Sequence, residues 1–179
     1  MFRKIAIAIA VIIIGLIIVI ARKPSEFRIT RTATISALPS AVFGQVNDFH
    51  NWEAWSPWAK LDPTTKSSFE GPSAGTEAIF RWAGNDKIGE GSETIIESRP
   101  NELIRIKLEF LKPFQATHTA EFTFQVQGDQ TVVSWSMFGK SNFVGKAMSL
   151  VMNCDKMLGG QFEQGLAQLK SVVETAAKQ

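Results

Sequence analysis

One cysteine, Cys154, and two histidines, His50 and His118, are all that the 179 residues offer of the usual metal-ligating nitrogen and sulfur side chains. A single thiol excludes an intramolecular disulfide and leaves the redox compartment unreadable. With the two histidines far apart, no ligand set has zinc-binding spacing. Neither a metal nor a cofactor is expected. Charge of one sign is scarce as well, with 19 basic residues against 17 acidic. Four of the basic ones, Arg3, Lys4, Arg22 and Lys23, lie in the first 23 residues, so the remainder carries a formal charge of −2. That argues against a nucleic-acid partner, which needs a basic surface. Internal repeats and low-complexity linkers are absent too, and residues 24–179 suit one domain better than two.

Familiar catalytic motifs also fail on context. Gly71-Pro72-Ser73-Ala74-Gly75 has the spacing of a nucleophile elbow, but a strand follows it where a helix is required. Gly139-Lys140-Ser141 resembles the end of a phosphate-binding loop, yet Ser134 stands where the earlier glycine belongs. Gly89-x-Gly91-x-x-Thr94 lacks the third glycine and opens a strand, so no dinucleotide site is expected.

What is present begins with a long apolar run. Ile5 to Ala21 is 17 residues without a charged or strongly polar side chain. As a helix it spans about 25 Å, the short end for crossing a bilayer core. Arg22-Lys23-Pro24 follows with no polar cleavage region, which favours a permanent anchor over a signal peptide. The expected organisation is an anchor over residues 1–23 and one domain over 24–179. Arg3 and Lys4 flank one end and Arg22, Lys23, Arg28 and Arg31 the other, so charge bias leaves the side of the domain undecided.

Past the anchor, Phe27–Ser36 alternates as a strand. Leu38-Pro39-Ser40 starts a short helix, and Asp48 is placed to cap a second one that Ser56-Pro57 ends. Strands follow over Thr76–Trp82, Gly89–Ser98, Glu102–Phe110, Ala116–Gln127 and Thr131–Phe138, several in strict apolar–polar alternation. A short helix is expected over Phe143–Val151, with Gly159-Gly160 dividing it from a long one. In the latter, Phe162, Leu166, Leu169, Val173 and Ala176 form one apolar stripe. The pattern is a half-exposed antiparallel meander covered by a C-terminal helix.

Asp48-Phe49 with Trp52, then Trp55-Ser56-Pro57-Trp58, resembles the SRPBCC (START-like) superfamily, polyketide cyclase/dehydrase branch. So do Trp82-Ala83-Gly84-Asn85, Gly89-x-Gly91, Thr131-Val132-Val133-Ser134-Trp135, Asp155-Lys156-Met157 and Gly165-Leu166-x-x-Leu169-Lys170. The resemblance covers nearly all of residues 25–175. It implies an α+β helix-grip fold: a curved seven-stranded antiparallel sheet around a long C-terminal helix, enclosing a hydrophobic cavity. It brings no shared catalytic triad.

Candidate residues follow from that picture. His118 shares the face of Ala120, Phe122 and Phe124, where it is either a core histidine bonded to a backbone carbonyl or a cavity group that orients a ligand or acts as a base. Asp48 is explained by capping, with a cavity-mouth acid as the alternative. Trp52, Trp55 and Trp58 either plug one end of the grip or offer a ligand a flat surface and an indole N–H. The ligand-lining set is Trp52, Trp55, Trp82, Phe110, His118, Phe122, Trp135 and Phe162. Met148, Met152 and Met157 read as packing between helix and sheet, and Cys154 as a small buried residue.

The preferred function is a membrane-anchored protein binding a hydrophobic small molecule or lipid in a central cavity. Two other classes stay open. One is a cyclase/dehydratase-type enzyme using His118 or Asp48. The other is a protein-interaction module whose sheet face or Trp-rich end binds a partner.

Overall fold

The computed structural model describes residues 2–177. Helix α1, Phe2–Arg22, contains the whole apolar run and is long and apolar enough to cross a membrane, a test that a signal sequence also passes. Ile20 is its one buried residue, so nothing in the fold covers the rest.

Seven antiparallel strands form one sheet: β1 Glu26–Ile35, β2 Lys66–Glu70, β3 Ile79–Ala83, β4 Glu90–Arg99, β5 Leu103–Lys112, β6 Ala116–Gln127 and β7 Gln130–Lys140. Their order across the sheet is β1-β7-β6-β5-β4-β3-β2. Each strand from β2 to β7 lies beside its sequence neighbour, and β1 closes onto β7. Period-2 alternation gives the sheet one apolar, concave face. Its convex face is polar: Arg105 bonds Glu97 and Glu121, Thr30 bonds Ser136, and Arg28 lies over the Phe138 ring.

Four helical elements besides α1 complete the fold: α2 Pro39–Asn47, a short 3₁₀ helix Phe49–Ala54, α3 Phe143–Val151 and α4 Cys154–Ala176. Pro39 opens α2, where a missing N–H costs nothing. Helix α4 runs alongside β1 over the concave face. Arg31 bonds Asp155 and Glu163 near its start, Lys170 Nζ donates to the Thr34 carbonyl, and the Ser36 amide donates to Glu174. Phe162, Leu166, Leu169 and Val173 bury the expected stripe, whereas Ala176 is exposed.

Several expectations are corrected. Strand β2 had no sequence signal, because all five of its residues are exposed and KSSFE shows no apolar face. The strand expected from Thr76 starts at Ile79, since Glu77 has a φ of 73°, outside extended geometry. Gly159 and Gly160 do not divide the last two helices. The break is at Met152-Asn153, where the Asn153 side chain accepts from the Lys156 amide. Gly159 is inside α4 because any Cβ there would collide with the Arg31 guanidinium. It is a close-approach glycine. Met148, Met152 and Met157 are exposed rather than packed against the sheet, and Cys154 is only half-buried.

Candidate functional site

Aromatic side chains on the concave face divide into two groups. The first is a sealed core beneath α4. Trp55, Phe122 and Phe162 are among the largest fully buried side chains, and Trp52 and Trp135 join them. Trp135 is sandwiched, stacked on Phe162 at 4.4 Å and on Phe122 at 4.8 Å between ring centroids. Trp52, Trp55 and Trp58 meet its edges within 6.4 Å. This cluster occupies the space where the resemblance placed a cavity. Two shallow, open concavities lie elsewhere. One of about 470 Å³ sits at the β1–β7 strand ends, and one of about 270 Å³ sits across β2 to β5.

The second group is a continuous arc of rings along the uncovered end of the same face. His50 stacks on Phe69 at 4.0 Å, Phe69 meets Phe80 at 5.4 Å, and Phe80 meets Trp82 at 6.1 Å. Trp82 meets Phe110 at 6.0 Å, Phe110 meets His118 at 6.1 Å, and His118 meets Phe27 edge-on at 5.0 Å. Every member is exposed or half-buried. The arc borders the core at Phe80, which lies 6.1 Å from Phe49.

Register explains why these residues meet. Phe27 opposes Gly139, Gly139 opposes His118, His118 opposes Leu108, Leu108 opposes Glu93, and Glu93 opposes Phe80. Directly opposed residues point to one face, so this is a single transverse row. Two glycines in or beside it make room for rings. A Cβ on Gly139 would lie 2.7 Å from His118 Nδ1, and one on Gly91 would enter the Trp82 ring.

Two titratable groups interrupt this apolar row, Glu93 and His118. Glu93 is half-buried and, among the described residues, has neither a hydrogen-bond partner nor an ion pair. Loss of hydration pushes its carboxyl up to about 8, so it is mostly protonated at neutral pH. His118 Nδ1 is buried without a partner, and burial lowers the ring's pKa. The imidazole is therefore neutral. The row presents a carboxylic acid and a neutral imidazole on opposite sides of Leu108, each able to donate or accept.

The ligand-lining residues expected from sequence are thus split. Trp82, Phe110 and His118 line the arc, whereas Trp52, Trp55, Phe122, Trp135 and Phe162 form the core. Trp52 donates its indole N–H to the Val46 carbonyl, Trp55 to Gln45 and Trp82 to Ile88, so none of the three holds one free for a ligand. Trp135 Nε1 alone is buried and unpartnered among the indoles. Trp52 and Trp55 are buried, whereas Trp58 in the same stretch is half-buried. Asp48 caps the 3₁₀ helix, accepting from the His50 amide at 2.9 Å and meeting His50 Nδ1 at 2.7 Å. Sequence reasoning passed over Glu93, Phe27, Phe80, Phe69 and His50. Glu93 had one available signal: it alternates with Gly91 and Ile95, which are on the buried side of β4.

Among the described residues no group of three or more histidine, cysteine, aspartate or glutamate side chains could hold a metal ion.

A curved antiparallel sheet, a long helix laid over its concave face and an aromatic rim at the uncovered end define a helix-grip domain. The chain belongs to the family described as polyketide cyclase / dehydrase and lipid transport, whose pattern matches residues 26–174. Solved structures carry the same fold. Protein CV1439 from Chromobacterium violaceum is 16% identical, with 85% of this chain and 99% of that one covered at a TM-score of 0.59. The Aha1 dimer from Colwellia psychrerythraea is 15% identical over 83% and 96%, at 0.57. The di-domain ARO/CYC BexL from the BE-7585A biosynthetic pathway is 17% identical over 86% of this chain and 52% of its own, at 0.59. No curated protein matches the sequence. At these identities the likeness concerns fold alone.

Proposed function

We propose that the protein binds a hydrophobic small molecule or lipid at the aromatic rim while α1 anchors it to a membrane. The single observation carrying this reading is the arc from His50 to Phe27, a contiguous line of rings that the fold leaves only partly covered. Apolar rings left in contact with water gain free energy when a guest covers them. Glu93 and His118 supply the few polar groups that set a guest's orientation. Their neutrality suits an uncharged ligand bearing a carbonyl or hydroxyl group, because ionising Glu93 there would require hydrating it. The binding place therefore shifts from the filled centre to the rim. The anchor is supported by α1 itself, whose apolar surface has no protein cover.

Native mass spectrometry of the chain released from detergent micelles tests the reading. A co-purifying apolar molecule is expected, and it should be lost on Trp82→Ala/Phe110→Ala. A chain that carries no guest, and takes up no lipid from mixed micelles, would overturn it.

The Glu93–His118 pair favours a second reading, an enzyme of the cyclase or dehydratase kind. In it, a protonated carboxyl donates to a ligand carbonyl while the imidazole accepts a proton. Loss of turnover with retained binding in Glu93→Gln distinguishes it from simple carriage.

A further inference from the structure

Helix α3 has no buried residue among those described, and its apolar side chains face solvent. Phe143 is 50% exposed, Val144 43%, Met148 38% and Leu150 39%, and Met152 just beyond is 39% exposed. A short helix that covers so little of the core has no packing reason to be this apolar. It is nonetheless held in place. Lys23 Nζ, directly after α1, donates to both the Ser149 carbonyl and its hydroxyl at 3.0 Å, and Ile20 is buried at the same end of α1. The level of α3 is thus tied to the point where α1 ends. Basic residues flank it along the chain: Lys146 lies on α3, Lys140 just before it and Lys156 just after it, with Arg22 at the end of α1 and Lys23 directly following. Nearby Asp155 is already engaged by Arg31.

We infer that α3 lies in the membrane interface beside the end of α1, its apolar side chains in the headgroup–acyl boundary, and that this seats the Phe27–His118 end of the rim against the bilayer. The occupant of the α3 face is a lipid surface with anionic headgroups. Apolar residues with lysines at their margin are what such a boundary accepts. Chain continuity connects this surface to the rim. The Ser141 amide donates to the Ser25 carbonyl at 2.7 Å, and Glu26 pairs with Lys140, so α1 leaves and α3 begins at one end of β1 and β7. The next pair is Phe27 with Gly139, and His118 follows in the same row. An apolar guest would then pass between bilayer and rim with little exposure to water. The inference rests on the anchor reading of α1.

The test uses the full chain in vesicles of phosphatidylcholine and phosphatidylglycerol, in a Cys154→Ser background. Met148→Cys and, on the convex face, Thr32→Cys each carry an environment-sensitive fluorophore. Brominated lipid should quench the label at 148 at least several-fold more than the label at 32, and aqueous iodide should show the reverse order. If both labels are equally open to iodide while the chain survives an alkaline wash on the vesicles, the α3 assignment fails and the anchor stands. If the wash strips the chain from the vesicles, the anchor reading itself fails and takes the inference with it. If the label at 148 is shielded from both quenchers and crosslinks to a second chain, that face pairs copies and the inference is overturned. Leu150→Glu, at an exposed position that leaves the core intact, should reduce the lipid quenching at 148.

Discussion

Glu93 and His118 face the same side of the sheet, one strand apart, with Leu108 between them in register. Two strand spacings place their Cα atoms about 10 Å apart. Among the described residues neither is paired with an opposite charge, and hydration loss acts on both so as to favour the neutral form.

Stability should depend on pH through Glu93. Its folded carboxyl, at about 8, lies above the ordinary glutamate value of 4.5, so its contribution is fully present below the unfolded pKa and is lost as pH rises through the folded one. Wild type should lose stability between pH 5 and pH 9, and Glu93→Gln should lose less, by roughly 2 kcal/mol at the alkaline end once the shift is discounted for the side chain's partial exposure to water. Urea unfolding of the two proteins at three pH values measures the difference. Parallel curves would contradict the assignment.

Rim and core substitutions should separate binding from folding. Trp135→Ala, which empties the middle of a stacked sandwich, should cost about 3–5 kcal/mol of stability. Trp82→Ala or Phe110→Ala, from half-buried positions, should cost less and weaken ligand retention about tenfold. Thermal unfolding alongside native mass spectrometry reads both.

Asp48 should act mainly as a cap, its contact with His50 touching only the far end of the arc. Asp48→Ala is expected to cost about 1 kcal/mol by freeing the His50 amide. Asp48→Ser should restore most of that. Ligand retention should be unchanged in both, and a loss of binding without a loss of stability would reinstate it as a site residue.

Gly159→Val should disrupt the α4–β1 contact. The new side chain collides with the Arg31 guanidinium, which bonds Asp155 and Glu163. Overpacking of this kind costs about 1–3 kcal/mol. Gly160→Ala, which meets nothing within 4 Å, should be harmless by the same denaturation assay.

Local patterns made much of the molecule legible in advance. Alternation along Glu102–Phe110 and Ala116–Gln127 identified half-buried strands, and the 3–4 spacing from Phe162 to Val173 identified the covering helix. Asp48 and Pro39 marked helix starts through chemistry confined to one turn. Strand β2 was invisible because edge position, not its own composition, makes it a strand. The glycine pair in α4 misled for a related reason. A glycine that ends a helix and one that admits a guanidinium look identical until the guanidinium is in place.

The candidate site shows the same limit. Parity along one strand placed His118 on the face of Ala120, Phe122 and Phe124, and only the register between strands brought Trp82, Phe110 and Trp135 to that same face. The sequence did not tell which of them α4 would cover. That depends on where the helix crosses the sheet, which Arg31 sets against Gly159 and Glu163, more than a hundred residues away in the chain. Only the tertiary structure decided that Phe122 and Trp135 are core while Phe110 and His118 are rim, because burial depends on what lies opposite a side chain. The elevated carboxyl of Glu93 has the same origin: the residue is an ordinary glutamate until neighbouring strands remove the water around it.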